Sequence, residues 1–171
     1  QVGVGDNALV NAGLNYGYNN QLQGDNYSGS SSRSNWMTGV ALNGKYFINA
    51  DWLAELNLSH YKYQAAVDYE SYNMNLEVAS LSYMTRYGTW GIFASNVGNT
   101  YAGVDPISNL QRQIQTASYG ASYAVALPNF TKPERKDLSL SLTYQQGRAN
   151  SNVSTYNTQT RQYMAILSKG F

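Results

Sequence analysis

The segment Leu138-Ser-Leu-Ser-Leu-Thr-Tyr-Gln145 sets three leucines and a tyrosine on one side of an extended chain and serine, threonine and glutamine on the other. Period-two alternation of this kind marks a β-strand with two unlike faces. The pattern continues outward in both directions. Upstream, Tyr119, Ala121, Tyr123, Val125 and Leu127 alternate with Ser118, Gly120 and Ser122; downstream, Tyr163, Ala165, Leu167 and Phe171 share one face. Near the start, Ala8, Val10, Ala12, Leu14, Tyr16 and Tyr18 oppose Asn11, Gly13, Asn15 and Gly17. Stretches 36–47, 52–63, 74–87 and 90–101 read as further strands, which brings the expected number to eight. Two of them are poorly phased. In 74–87 the apolar set moves from Met74, Leu76 and Val78 to Ala79, Leu81 and Tyr83, which predicts a bulge or a displaced boundary. In 90–101 the alternation fades after Ala94.

Polar stretches near 19–34, 64–73, 102–114 and 147–159 read as long loops, whereas 49–51 and 88–89 read as short turns. Segment 128–137 is longer and holds two prolines and five charges. Odd and even connections of an up-and-down barrel lie at opposite ends, so one end is expected to carry the long loops and the other mostly tight turns. No internal repeat or linker divides the chain, and residues 1–171 are expected to form one domain.

The 171 residues are 43% hydrophobic and 13% aromatic but only 12% charged, with a net charge of +1, sixteen tyrosines, four phenylalanines and no cysteine. The charged fraction is about half that of an ordinary soluble domain, yet the mean hydropathy is -0.45, because neutral polar residues take the place of charge. No stretch reaches 18 consecutive apolar residues, which excludes a membrane-spanning helix. The near-zero net charge argues against a nucleic-acid partner, and the absence of cysteine excludes a disulfide scaffold. A soluble barrel would cover its outside with charge. Here the polar faces hold Gly, Ser, Asn and Thr, which suit a narrow lumen, while the apolar faces suit lipid. The expected fold is therefore all-β, an eight-stranded antiparallel up-and-down transmembrane β-barrel.

Aromatics fall where interfacial belts need them. Phe47, Trp52, Tyr87, Trp90 and Phe171 flank the short turns and the C-terminus, and Trp36 with several tyrosines lies toward the long loops. With these features the chain resembles the small eight-stranded bacterial outer-membrane proteins of the OmpA-domain and OmpX/Ail type, over essentially its whole length. The most specific local feature is Tyr163-Met-Ala-Ile-Leu-Ser-Lys-Gly-Phe171, which looks like the C-terminal strand by which barrel-insertion machinery recognises such proteins. Lys169 departs from the usual apolar or aromatic residue at its position, although a lysine at a rim can snorkel. The resemblance implies an outer-membrane location among phospholipid and lipopolysaccharide, with periplasmic termini and extracellular long loops.

Chemistry is sparse. The single histidine, His60, follows Ser59 directly, and neighbouring residues on a strand point to opposite faces, so the two cannot form a nucleophile–base pair. Asp68 and Glu70 lack the oxygen-ligand spacing of a calcium site. No catalytic residue, cofactor or metal is expected. The turn at 49–51 sets residues whose numbers sum to 100 opposite each other, which matches Leu42 with Leu58 and Asn43 with Asn57. Lys45 then faces Glu55, and an ion pair inside the lumen is expected. Tyr27, Tyr69, Tyr72 and Tyr156 are the candidate loop contacts for a partner.

The expected function is that of a non-enzymatic barrel working through its loops or outer surface: anchoring, adhesion or host contact, or complex formation with another envelope protein. A narrow channel for small polar solutes is the alternative, and a lipid A-modifying enzyme comes third.

Overall fold

The computed structural model describes residues 2–3, 6–21, 33–65, 68–127 and 138–169. It holds one antiparallel sheet in sequential order: β1 (Val2–Gly3), β2 (Ala8–Gln21), β3 (Arg33–Phe47), β4 (Trp52–Gln64), β5 (Tyr72–Thr85), β6 (Gly88–Val104), β7 (Gln111–Leu127), β8 (Leu138–Ser151) and β9 (Thr158–Lys169). The eight long strands run up and down, and among the described residues the only helical pieces are 3-10 turns at Asp68–Glu70 and Ser154–Tyr156. Short β1 lies on the outer edge of β2, and β9 pairs with β8 alone among the described residues. The turn expected at 128–137 lies outside the described residues, as do Tyr27 and Phe171.

The tight turns are built by local chemistry. Asn49 Oδ1 accepts the backbone N–H groups of Asp51 at 2.9 Å and Trp52 at 3.0 Å, which closes β3 onto β4. Between β5 and β6 only Arg86 and Tyr87 separate the paired residues Thr85 and Gly88, and Gly88 takes φ +139°, a conformation that favours glycine.

Directly opposed residues share a face, so the register sorts every side chain. Leu9, Lys45, Glu55, Ser80, Phe93, Gly120, Gln145 and Gln162 form one row across β2–β9. From β3 to β8 this face is the less exposed one, whereas β9 is exposed on both sides. This is the sheltered face. The other face is the exposed one, and Leu14 (88% accessible), Val40, Leu56, Ile92 and Leu167 all lie on it.

The boundary of β5 is displaced: the strand runs two residues earlier at each end than the expected 74–87, and the turn falls at 86–87 rather than 88–89. The bulge expected in β5 is not present, since its register is unbroken against β4 from Trp52↔Tyr83 to Tyr63↔Tyr72 and against β6 along its whole length. The polarity of the faces inverts instead. On the turn half, the exposed face of β5 carries Tyr83, Leu81 and Ala79 while the sheltered face carries Ser82 and Ser80. On the loop half, the exposed face carries Glu77, Asn75 and Asn73 while Val78, Leu76, Met74 and Tyr72 are sheltered. The fading of β6 beyond Ala94 has the same origin, with Asn96, Gly98 and Thr100 on the exposed face and Val97 and Tyr101 beneath.

This inversion shortens the loops. Much of the polar sequence expected in loops continues the strands, so that the fully described connections at this end are 105–110 and 152–157. A register irregularity in the β6–β7 ladder falls between Thr100 and Val104.

Close packing on the sheltered face depends on Gly120. A Cβ there would meet the backbone carbonyl of Tyr144 and lie 2.5 Å from Phe93 Cζ. Backbone cannot move aside cheaply, so Gly120→Ala is expected to destabilise the fold by about 1–3 kcal/mol, as overpacking does. Urea titration of the variant against the parent checks this, and an unchanged midpoint would contradict the packing described.

Candidate functional site

On the turn half, the exposed face is an apolar band edged by aromatic rows. Trp52, Tyr83, Trp90 and Tyr123 are directly opposed in sequence across β4–β7. Their rings pack, with Trp52 stacked on Tyr83 at 4.6 Å and Trp90 tilted against Tyr123 at 4.3 Å between centroids. Toward the loop end the band closes with Trp36 against Tyr18 at 4.4 Å on β2–β3 and with Tyr144 against Tyr163 at 5.0 Å on β8–β9. Phe47, expected in this belt, lies instead on the sheltered face opposite Leu53, because it shares parity with Lys45; Tyr46 takes the exposed position. On β7 the band runs from Ala117 to Leu127. At about 3.3 Å per residue that is about 33 Å of strand.

Beneath the band the sheltered face is polar and internally bonded. Lys45 faces Glu55 in the register, with Nζ 2.6 Å from Oε1. Ser95 Oγ lies 2.6 Å from Ser118 Oγ, to which Gln145 Nε2 also donates at 3.2 Å. Ser59 is buried and donates to Asn57 Oδ1 at 3.0 Å. His60 sits on the opposite, exposed face with Nδ1 2.7 Å from Asn75 Oδ1. The serine and the histidine therefore cannot cooperate on one substrate.

The loop end has a different architecture. Tyr72 is not a loop residue: it opens β5 on the sheltered face, 4.8 Å from the Tyr63 ring and 5.2 Å from that of Tyr101. Tyr156 is half-buried, and its hydroxyl donates to Asp105 Oδ2 at 2.7 Å. Of the candidate loop contacts described, only Tyr69 is exposed, on the 3-10 turn at Asp68–Glu70. Among the described residues no three His, Cys, Asp or Glu side chains converge as a metal site.

A clasp around Asp105 ties the two connections 105–110 and 152–157 together. Asp105 Oδ1 accepts the N–H of Ile107 at 3.0 Å and of Ser108 at 2.9 Å, an Asx turn that tolerates Asn109 at φ 56°. Arg112 Nη1 lies 3.6 Å from Asp105 Oδ2, and the guanidinium sits over the rings of Tyr101 at 3.6 Å and Tyr156 at 4.4 Å. The Ser108 N–H and the Tyr156 hydroxyl, against an opposing effect of burial, lower the Asp105 carboxyl from its ordinary value near 3.8 to about 2. A depressed carboxylate pKa contributes stability above the unfolded value that disappears as pH falls through the folded one. The clasp is thus expected to hold at pH 4 and above and to open as the pH approaches 2. Amide exchange at 105–110 should accelerate in that window, and Tyr156→Phe should begin to open at higher pH.

Asp-Pro at 105–106 is a turn signal visible in the sequence, but nothing there links it to Tyr156, 51 residues away. Outside the clasp, Gly98, Thr100, Gln113, Gln115, Asn150 and Asn152 line an open groove of about 380 Å³. Its lining is mainly neutral amide and hydroxyl.

No family model matches the chain, and neither does any curated protein or solved structure.

Proposed function

We propose that the protein is a non-enzymatic bacterial outer-membrane β-barrel, in which β9 pairs with β2 beyond the Leu9–Val10 stretch that β1 covers and the apolar band faces lipid. The observation that carries this reading is the arrangement of the two faces on the turn half. An exposed apolar band edged by aromatics lies over a sheltered face of Ser, Gly, Asn and one ion pair, the reverse of a protein that meets water on its outside. Closure also satisfies the free backbone groups of β9, which lipid cannot hydrogen-bond. The loop halves of the strands then rise out of the membrane, with amide-rich outer faces and a tyrosine-lined interior.

The protein works through that raised, amide-rich surface: anchoring, adhesion or contact with another envelope or host component. A narrow channel is the second reading, favoured by the small sheltered residues Ser80, Ser82 and Gly91. Eight strands leave little more than side-chain volume inside, and Phe93, the Lys45–Glu55 pair and the Tyr63–Tyr72–Tyr101 stack occupy it. Planar-bilayer recording is expected to show no steady conductance.

The membrane reading is tested by solubility and gel mobility. The protein should require detergent and migrate faster unheated than boiled. A monodisperse, detergent-free sample would overturn the proposal.

A further inference from the structure

We infer that the exposed face of β7–β9 holds a specific site for one anionic, phosphate-headed lipid, its acyl chain in an apolar groove and its head between Arg148 and Arg161. This rests on the membrane-barrel reading and adds a defined ligand to it. The groove, about 540 Å³, lies among Trp90, Ala121, Tyr123, Leu142, Tyr163 and Ala165 and is almost wholly apolar. Its loop end is marked by the packed rings of Tyr144 and Tyr163.

The next positions outward on the same face are Gln146 opposite Arg161, then Arg148 opposite Gln159. The two arginines are thus diagonal neighbours, a spacing of about 7–8 Å. Strands β7, β8 and β9 contain no Asp or Glu. The carboxylate in the same row, Glu77, stands three strands away through Asn96 and Ala117. It is engaged by Asn96 Nδ2 at 3.4 Å. Among the described residues no carboxylate forms an ion pair with Arg148 or Arg161.

Two like charges at this spacing repel, and an anion between them relieves the repulsion. Guanidinium forks match phosphate oxygens in bidentate geometry, and at the aromatic edge of a membrane the available phosphate is a lipid head. The apolar groove directly below accounts for the chain attached to it. The charge, the aromatics and the groove together select an amphiphile with net negative charge over a zwitterionic one.

The test uses the full chain in detergent micelles, with lipid retention read by native mass spectrometry. The probes are phosphatidylglycerol and phosphatidylcholine of identical chains, with inorganic phosphate as competitor. The parent should retain phosphatidylglycerol about tenfold better, a difference of about 1.4 kcal/mol. The double variant Arg148→Gln/Arg161→Gln should lose the preference, and Ala121→Trp, which fills the groove, should lose retention of both lipids. An unchanged preference in the double variant overturns the site. Full displacement by inorganic phosphate at equal concentration overturns the lipid, leaving a free-phosphate site. Failure of the barrel reading is distinguishable, because the parent would then be monodisperse without detergent; loss of the lipid preference with detergent dependence intact removes only the lipid site.

Discussion

Replacing Leu42 with arginine is expected to destabilise the protein by about 2–4 kcal/mol in a phospholipid bilayer, the depth-dependent cost of a cation at the lipid face of a barrel. Leu42 sits on the exposed face of β3, between Tyr46 and Trp36, and is 45% accessible. In water, a substitution at so open a position changes stability within about 0.5 kcal/mol. The magnitude therefore reports the solvent that this face meets. Urea titration from vesicles measures it, with Thr38→Arg, near the loop-end edge of the band, as the shallower companion expected to cost less. Equal and negligible effects at both positions would mean that the face is bathed in water.

The second large effect concerns Lys45 and Glu55. Removing either partner alone is expected to cost more than removing both, with a coupling of about 1–3 kcal/mol in a double-alanine cycle. A fully buried pair would lose about 3–5 kcal/mol when broken. These side chains are 39% and 30% accessible, so the expected cost is reduced accordingly. An exposed surface pair, in contrast, couples by about 0.2–1 kcal/mol and fades with salt. Coupling that persists at high salt marks an enclosed pair. Coupling abolished by salt would place the sheltered face in open solvent and count against closure of the sheet.

The strand count, the antiparallel order and the β3–β4 register were legible because each depends on local pattern. A turn with a side-chain acceptor at Asn49 and two alternating strands with unlike faces admit one pairing, and a slip of one residue would invert every side chain. The aromatic row was legible in part. Trp52 and Trp90 occupy it, but a change of one position moves Phe47 to the other face, and parity is set by pairing. Ser59 and His60 could be separated for the same reason, since adjacent strand residues diverge wherever the strand lies.

What sequence could not locate was the loop end. Period-two reading assumes that one face stays apolar throughout a strand. In β5 the apolar set changes face, and a pattern reader sees a bulge or a break where the ladder is continuous. The polar ends of β6–β9 resemble loops because Asn, Gln and Thr on an exposed face look the same whether paired or not. Only the backbone hydrogen bonds of a neighbouring strand distinguish them. The clasp of Asp105, Arg112 and Tyr156 likewise joins residues brought together by the stacking of successive hairpins.

By itself, then, the sequence determined an all-β chain of eight long up-and-down strands with two unlike faces, because alternation and turn chemistry act between near neighbours. The tertiary structure decided where those faces exchange character, which tyrosines are half-buried, and which arginines stand, among the described residues, without a carboxylate partner beside an apolar groove. Those features depend on register summed across several strands, a quantity no single segment carries.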